Sequence, residues 1–205
     1  MTLLTSWQEM WRSLGVARAD DDLFHRLIEC YSEPHRKYHT VRHLEECFGH
    51  FNDVRSLTIE AGEVALAIWF HDAIYDTHSS DNEERSALWA RESAIAAGLT
   101  LEQATRISGL VIATRHSATP ENSDAMILVD IDLAILGAGI DRFEEYELQV
   151  REEYSWVPEH LYRSGRGQIL KEFADREWIY CTDCFRTAYE ERARENIARS
   201  LARLA

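Results

Sequence analysis

The sequence predicts an all-α fold, and three observations carry that expectation. Only nine Gly and three Pro occur in 205 residues, too few turn-formers for a many-stranded sandwich. Apolar residues recur at spacings of three, four and seven along most of the chain, the period of a helix buried on one side. Capping signals of the form Ser/Thr-x-x-Glu/Gln stand just ahead of such segments. With 45% apolar residues, six Trp, seven Phe and eight Tyr, the chain has the material for a sizeable core and is not of the disordered class. Its composition has no break or repeat, so one domain over residues 1–205 is expected, with the helices from about 141–205 as an extension packed on it.

Taken in order, Ser6-Trp-Gln-Glu9 has the form of a capping box ahead of Trp7, Met10, Trp11 and Leu14. A second helix is expected from Asp20–Asp22, with Leu23, Leu27 and Tyr31 inward, closed by Pro34. Thr40 suits the N-cap of a third, which carries His43, Leu44, Cys47, Phe48 and Phe51. From about Ala61 to Tyr75 the run Val64-Ala-Leu-Ala-Ile-Trp-Phe70 leaves no polar face, so this helix is expected to be buried all round. The next runs from Asp81–Glu84 to Gly98, and the following one opens on the capping box Thr100-Leu-Glu-Gln103 and reaches Arg115-His116. Ala125–Leu136 is apolar except for Asp130 and Asp132, and Gly137 and Gly139 close it. Three further helices are expected over Asp141–Trp156, from Pro158 across Gly165-Arg166-Gly167 to Phe173, and over Thr182–Leu204.

The formal net charge of −14 argues against a nucleic-acid polymer or an anionic membrane as partner, since both are bound by basic surfaces. The amino-terminal residues lack the basic and apolar regions of a signal peptide, and no segment approaches the about 20 apolar residues of a membrane span. Four cysteines are too sparse for a disulfide scaffold, so a reduced cytoplasm is the expected compartment. Cys181-Thr-Asp-Cys184 has no second pair to complete a zinc site and reads as incidental.

Chemistry is expected where ionisable groups interrupt apolar runs. His43, the pair His71-Asp72 and Asp132 do so in three separate segments. Adjacent helical residues lie about 100° apart, so His71 and Asp72 can lean toward one site. A carboxylate among apolar residues must be paired or bound to a cation. Two imidazoles and two carboxylates form a mixed nitrogen and oxygen set suited to Mn²⁺, Fe²⁺, Zn²⁺, Co²⁺ or Ni²⁺, with Mg²⁺ also admitted. Asp130 is about 200° around the helix from Asp132 and is not expected to face the same ion.

His43, His71-Asp72 and Asp132 resemble the H…HD…D signature of the HD superfamily of metal-dependent phosphohydrolases. Tyr38-His39-Thr-Val-Arg-His43, Phe70-His-Asp-Ala-Ile-Tyr-Asp76, Asn82-Glu83 and Asp130-Ile-Asp-Leu-Ala-Ile-Leu-Gly137 further resemble a bacterial group of predicted HD phosphohydrolases, as do Glu153-Tyr154, Gly165-Arg166 and Ala193-Arg-Glu-Asn196. The resemblance implies a compact multi-helix bundle with a divalent-metal site for phosphate esters or anhydrides. The substrate it suggests is a small phosphorylated metabolite, a nucleotide by family analogy. Some HD nucleotidases carry a Glu just after the HD pair; here Ala73, Ile74 and Tyr75 follow. Asp76 is therefore the first candidate to activate water and Glu83 the second. His39, Asn82, Arg115, His116 and Arg166 are candidates for substrate contact, with Arg42 as a further cation. A non-catalytic nucleotide- or partner-binding module and a di-iron oxygenase are the competing readings, and a homodimer is compatible with all three.

Overall fold

The computed structural model describes residues 2–205. Among the described residues the chain is all-α, with ten α-helices, two short 3-10 helices and no strand. None of these helices is long and apolar enough to cross a membrane. The chain divides into two compact units, Met1–Val129 and Asp130–Ala205.

The first unit is built around one helix. It contains α1 (Leu3–Ser13), α2 (Asp21–Cys30), α3 (Val41–Val54), α4 (Ala61–Phe70), α5 (Asn82–Ala96) and α6 (Leu101–Ala113), with α7 (Ser123–Asp132) beginning in it. Helices α1, α3, α5 and α6 all pack on α4. Every residue from Gly62 to Phe70 is buried, as expected for a helix with no polar face. Trp69 lies at the centre of an aromatic cluster, 5.1 Å from Trp7, 5.3 Å from Phe48 and 5.6 Å from Phe24 between ring centroids. α1 approaches so closely at Gly62 that a Cβ there would stand 2.7 Å from Ser13 Oγ and 2.9 Å from Leu14 Cγ.

Two carboxylates hold the entry to α4. Asp124 accepts the amide protons of Ile59 and Glu60 at 2.7 and 2.8 Å, in place of the unused Glu60 side chain. Glu63, 1% exposed, receives the Arg106 guanidinium from α6 through Nε at 2.8 Å and through Nη2. This two-pronged pair is what allows a carboxylate inside an apolar helix.

Most boundaries follow the sequence, and three are corrected. α1 starts at Leu3 with Thr2 as N-cap, its hydroxyl accepting the Thr5 amide, so Ser6 is interior rather than a cap. α2 ends at Cys30, ahead of Pro34. The buried helix stops at Phe70, five residues short of the expected Tyr75. The Thr100–Gln103 capping box forms as expected, and Gly98 takes the left-handed conformation, φ +90°, that closes α5.

The second unit contains the end of α7, a 3-10 helix over Leu133–Gly137, α8 (Ile140–Glu153), α9 (Glu159–Ala174) and α10 (Asp183–Leu204). The 3-10 helix packs on α8 and α10, and α9 packs on α10. Asp130 is fully buried and accepts the amides of Cys181 and Thr182 at 2.6 and 2.7 Å, plus the Thr182 hydroxyl at 2.6 Å. Its carboxylate thus anchors the segment that leads into α10. Asn196 donates to the Leu136 and Ala138 carbonyls. At Gly137 a Cβ would lie 2.7 Å from the Tyr189 carbonyl oxygen, so only glycine permits this approach. α9 runs unbroken through Gly165 and Gly167.

Candidate metal centre

The end of α4 builds the site. His71 is its C-cap, and Asp72 lies just beyond it. With no further helical turn, the last carbonyls of α4 need other partners. The Ile68 carbonyl is taken by His71 Nδ1 at 2.8 Å, and the Trp69 carbonyl by the Tyr31 hydroxyl at 3.3 Å. A carbonyl only accepts, so His71 Nδ1 carries a proton, and in the neutral form of the ring Nε2 is a lone pair.

That lone pair faces other donors. His71 Nε2 stands 3.1 Å from His43 Nε2 and 3.1 Å from Asp72 Oδ2, while His43 Nε2 lies 3.5 Å from the same oxygen. Tetrahedral ligation at about 2.0–2.1 Å spaces nitrogen and oxygen donors about 3.3 Å apart, so the three atoms have the bite of a metal site. His43 comes from the first turn of α3, where Thr40 occupies the N-cap position. Cys47, one turn on, places Sγ 3.7 Å from His43 Nε2. His43, Cys47 and His71 are buried, with ligand atoms mutually within 4.8 Å. These three buried ligand atoms, within one unit, form a group that can hold a metal ion. The Asp72 side chain keeps 19% exposure, which leaves the cluster an opening to solvent. Burial pushes the Asp72 carboxyl up, but His71 and His39, with hydrogen bonds from His43 and His71, outweigh it and hold the group well below the usual carboxylate range.

His39 precedes the helix, as Thr40 as N-cap requires. Its ring packs 4.2 Å from Tyr75 and 5.9 Å from His43 between centroids, at the rim of the cluster. Asp76 is elsewhere: since α4 stops at Phe70, Asp76 is not one turn beyond Asp72 but on an exposed loop. Its carboxylate accepts the His78 amide at 2.9 Å and lies 3.3 Å from His78 Nδ1. Asn82 closes that loop, accepting the Asp76 amide at 3.1 Å and donating to its carbonyl at 2.9 Å. Glu83 sits half-buried in the first turn of α5. Arg115, past the end of α6, pairs with Glu84, and His116 holds a left-handed backbone at φ 56°.

Two expected site residues belong to the second unit. Asp132 ends α7 and is partly buried; its charge, with that of Glu147, acts on the buried Tyr146 hydroxyl. Arg166 donates to the Tyr146 hydroxyl at 2.7 Å and to Glu147, whose other oxygen accepts from Ser200 at 2.6 Å. Its guanidinium is thus committed to a carboxylate inside this unit. Arg42, on the outer face of α3, pairs with Glu46.

Sequence reasoning passed over three groups near His71. Cys47 stood in the apolar pattern of α3, although its spacing of four from His43 was a signal. Tyr31 accepts the Asp72 amide at 3.3 Å, and Arg36 binds the carbonyls of Asp72 and Ala73. Neither has a local signal, because both reach the site from a segment distant in sequence.

Fold and site together define an all-α protein with a buried cluster able to hold a metal ion. No family model matches the chain, and no curated protein or solved structure matches it either.

Proposed function

We propose that this chain is a metal-dependent phosphohydrolase of the HD type, cleaving a phosphate monoester or anhydride of a small metabolite, with nucleotides the first class to test. The observation that carries the reading is the convergence of His43 Nε2, His71 Nε2 and Asp72 Oδ2 at 3.1–3.5 Å in a cluster open on one side. The order of His43, His71-Asp72 and Asp132 along the chain supports it as an HD signature. In this reading those four residues hold a divalent ion, with Asp132 as the ligand from the end of α7.

The ion would supply Lewis acidity toward a phosphoryl oxygen and a water more acidic than in bulk. The chain's own groups do the rest. The Ile68 carbonyl keeps His71 in one tautomer, so the neutral ring needs no tautomer shift before ligation. Asp72 stays ionised. His39, braced by Tyr75 at the rim, offers a donor to a phosphoryl oxygen at the mouth.

The test is turnover of nucleoside mono-, di- and triphosphates and sugar phosphates by protein loaded with Mn²⁺, Co²⁺, Zn²⁺, Fe²⁺, Ni²⁺ or Mg²⁺. Phosphate release that disappears with chelation and returns with the ion is expected, and that disappears in Asp72→Ala. Of Asp76→Ala and Glu83→Ala, the one that keeps its ion but loses turnover identifies the proton acceptor. Two irons per chain and oxygen consumption, or tight nucleotide binding without turnover of any compound, would refute the hydrolase.

A further inference from the structure

The guanidinium of Arg36 is the most heavily engaged group around the cluster, and no step above uses it. Its side chain has no exposed surface, although it springs from a turn between α2 and α3 with no regular structure. Nη1 donates to the Asp72 carbonyl at 2.6 Å and to the His39 carbonyl at 3.3 Å; Nη2 donates to the Ala73 carbonyl at 3.1 Å. Nε donates to the half-exposed Glu33 carboxylate at 3.0 Å. The cation also lies 5.2 Å from the Tyr31 ring centroid and 5.3 Å from that of Tyr75, a separation at which an aromatic face attracts it.

The carbonyl partners decide what this arrangement does. They belong to the two chain segments that carry the ligands: His39, four residues before His43, and Asp72-Ala73, at and after the α4 terminus. Five donors in a rigid plane can hold several carbonyls at fixed angles, whereas a lysine ammonium is a single point of attachment. We propose that Arg36 is the positioning residue of the metal site, one guanidinium that sets the separation of the His43-bearing and Asp72-bearing segments and so the bite of the ligands. The inference rests on the metal-dependent reading above.

Burying a cation here is sustained by its four acceptors and two ring faces. Its bonds to the Asp72 and Ala73 carbonyls also stop α4 from continuing. Helical continuation would offer those oxygens to amides four residues on, while Ile74 already gives its amide to Ser86 Oγ at 3.0 Å. Arg36 thus fixes both where the ligand helix ends and what faces its end.

The experiment measures Co²⁺ affinity by competition with a chelating indicator, together with the visible absorption of the bound Co²⁺, for wild type, Arg36→Lys, Arg36→Met and Glu33→Gln. Arg106→Met, which disturbs the opposite end of α4, is the control for lost stability alone. Arg36→Met is expected to bind Co²⁺ about 10–100-fold more weakly, the usual effect of losing a group that orients metal ligands, and to change the absorption band. Arg36→Lys should fall between it and wild type, with Glu33→Gln nearer to wild type. Arg106→Met should melt lower with unchanged affinity and spectrum. An Arg36→Met protein that melts lower yet keeps wild-type affinity and spectrum would overturn the inference, and Arg36→Lys decides in the same way should Arg36→Met not fold. A wild-type chain that takes up no ion would instead remove the metal-dependent reading, and this inference with it.

Discussion

The sharpest consequence of the cluster is a stability change that only an intact donor set can give. Wild type and His71→Ala are melted with and without Zn²⁺, Co²⁺ or Mn²⁺. An ion that binds only the folded chain stabilises it by about 2.7 kcal/mol at a hundredfold excess over its dissociation constant. At about 2–4 °C per kcal/mol for a chain of this size, the melting temperature should rise by about 5–11 °C. His71→Ala removes the donor that stands 3.1 Å from both His43 Nε2 and Asp72 Oδ2, and the donors left no longer close around the ion. The variant also loses a ring 2% exposed and its bond to the Ile68 carbonyl, which costs the metal-free protein about 2–4 kcal/mol. Only the ion-induced increment is therefore diagnostic, not the absolute temperature. An increment of several degrees in wild type that falls below about one degree in the variant is expected. Equal increments in both would show that the ion binds elsewhere, and none in either would show that the cluster is a metal-free polar core.

Under the proposal that Asp132 is a ligand, Asp132→Ala should lose ion-induced stabilisation and turnover. Asp130→Ala should keep the ion yet melt lower, because it strips the amides of Cys181 and Thr182 of their acceptor at about 1–3 kcal/mol; thermal melts with metal titrations check both. Gly62→Ala should destabilise by about 1–3 kcal/mol through the clash with Ser13 and Leu14, and a neutral or stabilising denaturant melt would contradict that packing. Metal affinity should fall as pH drops, because protons compete with the ion for the imidazoles of His43 and His71. The limiting slope is about tenfold per pH unit for each histidine, and a pH-independent dissociation constant from pH 5 to 8 would refute imidazole ligation.

Burial of α4 is legible because Val64–Phe70 has no polar face, and a helix without one has no side to give to water. The end of α4 is not legible. Past Asp72 the chain continues Ala73-Ile74-Tyr75, which is compatible with more helix, and local preference offers no reason to stop. The reason is tertiary: Tyr31, Arg36 and Ser86 take the backbone groups of Asp72, Ala73 and Ile74. The placing of Asp76 one turn beyond Asp72 assumes the same longer helix, whereas α4 ends at Phe70 and Asp76 lies on an exposed loop. His43 and the pair His71-Asp72 are legible as ionisable residues in apolar surroundings, and the structure brings them together. Helix phase separates Asp130 from Asp132, but the hold that Asp130 takes on Cys181 and Thr182 ahead of α10 is invisible, because they lie some fifty residues on. Arg166 reads as an available cation in sequence; its partners Tyr146 and Glu147 are on another helix.

The charge balance at the α4 terminus links fold and chemistry. A helix C-terminus carries partial negative charge, and here it is followed at once by an ionised Asp72. Arg106 cannot relieve this, because it lies at the other end of α4 and is committed to Glu63. Arg36 meets part of the demand, yet its bonds go to backbone carbonyls and Glu33 rather than to the Asp72 carboxylate. The carboxylate faces His43 and His71, so its counter-charge on that side is either a proton on the pair or a cation between them. The two are mutually exclusive, since a protonated Nε2 cannot ligate. A divalent ion satisfies both imidazoles and the carboxylate at once, whereas a single proton is shared unequally among three acceptors. The fold therefore presents an electrostatic deficit of the sign and geometry that a divalent cation fills, beside an opening through which an anionic group can follow it.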